Sequence, residues 1–227
     1  MTECQCVKGL HGQKCNKSIT SVVQWLSVQQ FSGVPDADSL QILTAVPAEA
    51  ERYAAVSAET FYEAYARTAD PANIALHIAR EFGERQQRNE LEDRDTTVLA
   101  AREPSGDWAG FTTLHAGRSA DGVIAERPIE IVRFYVRARW HGSGAATRLM
   151  DAAARFAAAR GHDTLWLQVW EENARARRFY EKCGLRAVGT KPFLFGEVLE
   201  RDIVYARALG VSLAPDRGAD VGVAKDR

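Results

Sequence analysis

An apolar stretch that runs directly into a glycine turn and then into an alanine-rich segment constrains this chain more than any other feature. PIEIVRFYV at 128–136 has the β-branched and aromatic composition of a strand. RWHGSG follows at 139–144, and from Ala146 to Ala157 apolar residues recur every three or four positions, as on one face of a helix. The sequence therefore predicts a strand, a glycine turn and a helix in succession.

Such a turn has two interpretations. A helix N-terminus offers unpaired N–H groups and a positive dipole end, so the glycines favour a phosphate site; alternatively, they only shape a tight turn. A P-loop is excluded because position 145 is Ala and the turn contains no Lys. A dinucleotide fingerprint is excluded because Thr147 stands where a third Gly or Ala is needed.

The charge balance favours a small molecule as the main ligand. The 227 residues carry a formal net charge of -1, which gives no electrostatic argument for nucleic acid or a membrane as partner. No apolar run approaches the roughly 20 residues of a membrane helix, and MTECQCVKGLHGQKC lacks the apolar core of a secretion signal. We therefore predict a cytoplasmic protein.

Composition divides the chain into three parts. Residues 1–36 contain no Ala and no Arg, whereas both are abundant afterwards. We predict an N-terminal extension at 1–39, one domain at 40–209 and a flexible tail at 210–227, where the sequence has no periodicity.

The N-terminal extension carries a cluster of potential metal ligands. Cys4, Cys6, His11 and Cys15 are residue types that bind Zn²⁺. Their spacing differs from that of the commonest zinc knuckles, so a reduced leader without metal is the favoured interpretation and we predict no metal site.

A second strand and helix follow the first pair. TLWLQV at 164–169 reads as a strand, Asn173 as the N-cap of a short helix, and Gly184 as its C-cap. Ala176, Phe179 and Cys183 align on one face of that helix, so we interpret Cys183 as a packing residue.

Together, the two motifs resemble the GCN5-related N-acetyltransferase (GNAT) superfamily. The resemblance rests on Arg-x-x-Gly-x-Gly/Ala followed by W-E-x-N-x-x-A-x-x-F-Y-x-x-x-G, within residues 130–190. FLFGEVLERDIVYARAL and ETFYEAYARTADPANIALHIAREF are similar to the closing hairpin and first helices of bacterial spermidine/spermine N-acetyltransferase-like members, which extends the resemblance to 40–209. Leu185 departs from it, because the family usually has an aromatic residue there.

The resemblance implies an α/β (α+β) architecture, the GNAT fold. Its central sheet is mixed and mostly antiparallel, with about six or seven strands and flanking helices. Strands four and five are parallel and splay apart. Similar proteins often form homodimers through the terminal strands.

The function implied is N-acetyl transfer from acetyl-CoA to a primary amine, either of a small molecule such as a polyamine or of a protein. Attack on the thioester is direct, so no covalent enzyme intermediate is needed. The alternative is a module that binds acyl-CoA for sensing without turnover.

In similar proteins the pyrophosphate lies on the glycine turn and the pantetheine arm pairs with strand four. The cofactor-binding residues implied are Phe134, Tyr135, Val136, Arg139, Trp140, His141, Gly142, Ser143, Gly144, Ala145, Ala146, Thr147, Asn173 and Tyr180.

Two residues are predicted to move protons. Tyr180 matches the family's usual general acid, although a packed tyrosine is the alternative. Glu130 is the candidate base: strict alternation places it on the same face as Phe134 and Val136, where desolvation would raise its pKa. An exposed glutamate at the strand end is the alternative, and His77 and His115 are lesser candidates.

The acceptor pocket is expected between the first helices and the last hairpin. Its aromatic candidates, which core packing would also explain, are Tyr53, Phe61, Tyr62, Tyr65 and Phe195. Glu59 and Glu63 would attract a cationic amine, or else form a solvated helix face.

Overall fold

The computed structural model describes residues 35–195 and 198–210, with the backbone alone at 193–195 and 198–199. The strands are β1 (Gln41–Thr44), β2 (Thr96–Arg102), β3 (Trp108–Ala116), β4 (Pro128–Val136), β5 (Thr164–Trp170), β6 (Arg186–Phe195) and β7 (Val198–Ala208). The α-helices are α1 (Ala50–Tyr65), α2 (Pro71–Glu81), α3 (Glu84–Glu92), α4 (Ala145–Ala159) and α5 (Ala174–Lys182), and short 3-10 helices span Ala37–Ser39, Pro47–Glu49 and Ala138–Trp140.

All seven strands form one sheet in the order β1-β2-β3-β4-β5-β7-β6. Every neighbouring pair is antiparallel except β4 and β5, which are parallel. The α4 helix connects these two strands, as a parallel pair requires a crossover. The predicted mixed sheet, with parallel strands four and five and flanking helices, is confirmed.

Each face of the sheet has its own core. The side that packs against α4 and α5, here called the α4 face, includes Leu114, Ile131, Leu167 and Tyr205. The opposite side, the α1 face, packs Val98, Ala100, Trp108 and Phe111 against Tyr53 and Val56 of α1. Two covered faces explain why the central strands read as nearly continuous apolar runs.

Several element ends follow from their residues. Asp70 caps α2 by accepting from the N–H of Ala72 at 2.7 Å, and Pro71 occupies the first helical position. Gly184 ends α5 with φ +82°, a backbone conformation that favours glycine. Cys183, just before it, is half-buried and packs against the α4-face core, which confirms it as a packing residue.

The first described element, a 3-10 helix at Ala37–Ser39, precedes the predicted start of the domain at residue 40. Strand β1 pairs with β2 only over 41–44, and Pro47, which lacks an N–H, opens a 3-10 helix before α1. Ala37, three residues before the predicted start of the domain, is only 6% exposed and belongs to the α4-face core. The division at 39 and 209 stays a prediction, and the Cys4, Cys6, His11 and Cys15 cluster lies outside the described residues.

Candidate active site

A gap opens between β4 and β5. The two strands pair over four positions, from Pro128 opposite Thr164 to Ile131 opposite Leu167. Beyond these pairs, β4 continues to bond to β3 and β5 to β7, but β4 and β5 no longer pair with each other. Their facing backbone groups are thus left for a ligand. The predicted cofactor residues Phe134, Tyr135 and Val136 lie on the β4 side of this gap, and all three are half-buried.

A β-bulge in β4 corrects the predicted orientation of Glu130. Ile131 stands opposite Leu114 and Arg133 opposite Thr113, so Val132 has no partner on β3. One extra residue reverses the alternation of side chains. Glu130 therefore lies on the α1 face, opposite the face of Phe134, and the prediction that the two share a face is wrong.

On the α1 face, Glu130 is 6% exposed and has a cationic neighbour. Arg118 Nη1 donates to its Oε2 at 3.5 Å. Trp166, its register partner on β5, donates from Nε1 to the carbonyl of Arg118 at 2.9 Å. The alternative of an exposed strand-end glutamate is thereby excluded, and the carboxylate sits just before the gap opens.

The glycine turn has the geometry of an anion site. Gly142 and Gly144 have φ of +86° and +94°, and Gly144 is the N-cap of α4. Within the described residues, the N–H groups of both glycines form no hydrogen bond. Those of Trp140, His141 and Ser143 bond to carbonyls of the same turn, and Ala145 N–H donates to Ser143 Oγ at 3.2 Å.

The side chains before the glycines brace the turn. Arg139 forms ion pairs with Glu103 and with Asp107, the second at 3.4 Å. Trp140 is buried and donates to Glu103 Oε1 at 3.1 Å. His141 Nε2 donates to the Val136 carbonyl at 2.8 Å. These side chains fix the turn against β4 and the β2–β3 hairpin. We therefore expect residues 139–141 to contact a ligand through their backbone and not through their side chains.

The first turn of α4 continues from the glycines. Ala145 is buried, Ala146 is half-buried, and Thr147 is exposed. The first N–H groups of a helix lack intrahelical partners, so this turn presents donors next to Gly142 and Gly144.

The helix α5 places Asn173 and Tyr180 at the other side of the gap. Asn173 caps the helix by accepting from the N–H of Ala176 at 3.0 Å, which confirms its predicted N-cap role. Tyr180 is 8% exposed, and its ring meets that of Phe134 edge to face. Its hydroxyl forms no hydrogen bond within the described part of the chain. Burial raises the pKa of Tyr180 well above its usual value, so it stays protonated at neutral pH.

The aromatic residues predicted for an acceptor pocket differ in their environments. Tyr53 is fully buried and bonds to Thr113 and Glu90, so it is a core residue. Phe61 is buried against Phe82, and Tyr62 is exposed. Tyr65, at the end of α1, is half-buried, and its ring lies against that of Phe61 with centroids 4.6 Å apart. The side chain of Phe195 lies outside the described residues.

The histidines and helix glutamates have other partners. His77 stacks on Phe61, with ring centroids 4.3 Å apart, and burial lowers its pKa. His115 Nδ1 donates to the carbonyl of Ala116 at 2.7 Å. Glu59 pairs with Arg137 at 2.8 Å, and Glu63 accepts from the N–H of Ala138 at 2.9 Å. Both glutamates secure the end of β4, so the prediction that they attract an amine is not supported.

Sequence reasoning missed two polar residues beside the gap. Asp202 of β7 is 5% exposed, and Gln168 of β5 is half-buried. Asp202 Oδ1 and Gln168 Oε1 have no hydrogen-bond partner among the described residues. A signal existed for Asp202: it is an acidic residue at a position of the same parity as the apolar residues Val204 and Ala206 of β7.

Within residues 35–195 and 198–210, no helix is long and apolar enough to cross a membrane. The same residues contain no group of three or more His, Cys, Asp or Glu side chains that could hold a metal ion.

A mixed sheet that opens between two parallel strands, beside a glycine turn at a helix N-terminus, defines a class of acyltransferases. The acetyltransferase (GNAT) family model matches residues 58–185. A Mycobacterium tuberculosis protein, named an uncharacterized N-acetyltransferase, is 33% identical over 161 residues, 71% of this chain and 98% of the relative. Another so named, from Lactobacillus delbrueckii subsp. lactis, is 24% identical over 69% of this chain and 90% of the relative.

Solved structures show the same fold. The PaiA N-acetyltransferase of Thermoplasma acidophilum, in complex with coenzyme A, aligns with a TM-score of 0.62 and 20% identity over 75% of this chain and 99% of its own. Arabidopsis thaliana NAA60, in complex with acetyl-CoA, aligns with a TM-score of 0.55 and 15% identity over 75% and 98%. The chain belongs to the acetyltransferase (GNAT) family and is an acetyltransferase.

Proposed function

We propose that this protein transfers the acetyl group of acetyl-CoA to a primary amine. The observation that carries the proposal is the β4–β5 gap, which has unbonded glycine N–H groups at one end and the unbonded hydroxyl of Tyr180 at its side. The two similar proteins whose structures contain coenzyme A or acetyl-CoA support the choice of donor.

The donor binds along the α4 N-terminus and the free edge of β4. The N–H groups of Gly142 and Gly144 and the first turn of α4 receive the pyrophosphate, and the Thr147 hydroxyl adds a contact. The amides of the pantetheine arm pair with the backbone of 134–136, as an added strand would. Asn173 borders the arm from the start of α5.

Transfer proceeds by direct attack. The amine nitrogen forms a bond to the thioester carbon, the C–S bond breaks, and the sulfur receives the proton of Tyr180. Glu130, on the α1 face, takes the proton that the ammonium group must lose before attack, through a water molecule. Tyr180 regains its proton from the acetylated nitrogen, so the net products are the amide, CoA and one released proton.

The acceptor is a polyamine-like small molecule or a protein amine. A homodimer through the terminal strands and a location in the cytoplasm complete the proposal. The proposal of a polyamine acceptor is based on the resemblance of the helical pair and the last hairpin to those of spermidine/spermine N-acetyltransferases.

The test is CoA release from acetyl-CoA by the full chain, against a panel of alkylamines, polyamines and lysine peptides. We expect release with at least one amine and an acetylated product of the corresponding mass. Tight binding of acetyl-CoA with no product from any amine would overturn the proposal in favour of a non-catalytic acyl-CoA sensor.

A further inference from the structure

Asp202 has a buried carboxylate with one oxygen that no described residue satisfies by a hydrogen bond. Its side chain is 5% exposed, and its Oδ1 accepts no hydrogen bond within the described residues. Burial of an unpaired carboxylate costs free energy, so such a group is rarely retained for packing alone. The opposing residue on β6, Lys191, is exposed and forms no ion pair with it in the described structure.

Gln168 places a second free acceptor next to Asp202. Asp202 stands opposite Trp170, and Gln168 stands opposite Val204, so the two side chains are diagonal neighbours on the α1 face of β5 and β7. Gln168 Oε1 is also without a partner. Two independent residues on adjacent strands thus present oxygen acceptors, and neither oxygen is satisfied from within the described protein.

This pair of oxygens lies beside the reacting centre of the proposed function. Gln168 is the first β5 residue beyond the last β4–β5 pair, so it borders the gap. Burial raises the pKa of Tyr65 of α1 to about 12, and the negative charges of Asp202 and Glu200 contribute. Tyr65 packs against the cluster of Phe61, Ile74 and Phe82, as does Tyr135 of β4, which borders the gap.

We propose that Asp202 and Gln168 bind the ammonium group of the acceptor, and that the natural acceptor is therefore a cationic primary amine. This inference rests on the proposed function. An ammonium group has three N–H donors and no acceptor, which matches one carboxylate oxygen and one amide oxygen.

The cationic side chains near Asp202 do not form an ion pair with it among the described residues. Arg201 adjoins Asp202 in sequence but pairs with Glu171, and Arg133 pairs with Glu90. The negative charge of Asp202 is reinforced by Glu200, two positions earlier on the same strand. The site therefore selects against anionic acceptors and in favour of a ligand that brings its own positive charge.

The test compares the wild type with Asp202→Asn and Gln168→Met in steady-state acetylation at mildly alkaline pH. Butylamine is the cationic probe, and trifluoroethylamine, largely uncharged at that pH, is its neutral match. We expect each substitution to raise the KM for butylamine about 10- to 100-fold, the loss of a hydrogen bond to a charged group, with less effect on trifluoroethylamine. The Kd for acetyl-CoA should not change.

Glu172→Gln is the matched control, because it removes a nearby exposed negative charge but neither free oxygen. An equal rise in the butylamine KM in this variant would overturn the inference, since the effect would then be one of general charge. Unchanged butylamine KM in both Asp202→Asn and Gln168→Met would also overturn it, and would leave the proposed function intact.

Calorimetry of butylamine binding to the CoA-bound protein separates the two proposals. If no amine is acetylated, the proposed function fails, and binding that Asp202→Asn and Gln168→Met abolish still supports the ammonium site. Absence of binding to wild type and variants alike would overturn it. Gln168→Met keeps the test valid if Asp202→Asn does not fold.

Discussion

The ring of Tyr180 meets the ring of Phe134 edge to face, with ring centroids 6.3 Å apart. The contact joins α5 to β4 where β4 has left β5, so a residue of the glycine-turn strand positions the proposed acid. The Tyr180 hydroxyl forms no hydrogen bond with any described residue, so it is available to a ligand in the gap.

Tyr180→Phe should lower kcat about 100-fold, because the thiolate then leaves without a proton donor, while the Kd for acetyl-CoA stays near that of the wild type. Tyr205→Phe is the control. Tyr205 is also buried, and its ring centroid lies 6.4 Å from that of Tyr180, but its hydroxyl donates a hydrogen bond to Glu181. Equal losses of kcat in the two variants would indicate packing rather than proton donation. Measurement of kcat with saturating amine for both variants distinguishes the two explanations.

Gly142→Ala should weaken acetyl-CoA binding about ten-fold through the disturbed N–H donors. The control is Gly117→Ala. Both glycines have positive φ, +86° and +78°, and at both a Cβ would meet no atom within 4 Å. Each variant should therefore lose about 1 kcal/mol of unfolding free energy from backbone strain. Calorimetric titration with acetyl-CoA measures the change in affinity, and urea unfolding measures the change in stability. Equal affinities for acetyl-CoA in the two variants would show that the turn does not bind the ligand.

Glu130→Gln should reduce kcat about 100-fold if its carboxylate takes the amine proton, and the rate should recover as rising pH supplies neutral amine. Arg118→Met is the control, because it breaks the same 3.5 Å ion pair but keeps the carboxylate. The pH–rate profile of each variant is the measurement. If the two variants have matching profiles, Glu130 serves only as the partner of Arg118.

Asp202 should make stability depend on pH. Burial and then the charge of Glu200 raise its pKa from 3.8 to about 6, while Lys191 opposes them. The folded protein thus binds this proton more tightly than the unfolded chain, so stability falls as pH rises from about 4 to about 6. Tyr65, whose pKa burial raises to about 12, remains protonated throughout this range.

Asp202→Asn should therefore raise the unfolding free energy by about 2 kcal/mol at neutral pH and have little effect below pH 4. Urea unfolding of both proteins at the two pH values checks this. A stabilisation of equal size at both values would mean that the charge of Asp202 is not its cause.

Local sequence signals were sufficient for the turn and for α5. Glycines at 142 and 144 adopt positive φ, Asn173 caps its helix, and Gly184 ends it. Each of these depends on backbone conformation within a few residues, which the residue type controls directly.

Interactions between distant residues were not predictable in this way. The bulge at Val132 arises from the register between β3 and β4, so alternation along β4 alone put Glu130 on the wrong face. The ion pairs of Arg139 with Glu103 and of Arg137 with Glu59 depend on how the hairpin and α1 dock. The proximity of Gln168 to Asp202 depends on pairing across 34 positions of chain.

The short β4–β5 ladder has a mechanical consequence. Four residue pairs are the sole strand-to-strand connection between the β1–β4 half of the described sheet and the β5–β7 half. A thioester arm lying in the gap contacts both halves, so bound acetyl-CoA adds a second connection between them. The free energy of unfolding should then rise with the concentration of acetyl-CoA, and the enzyme should be least stable when acetyl-CoA is scarce.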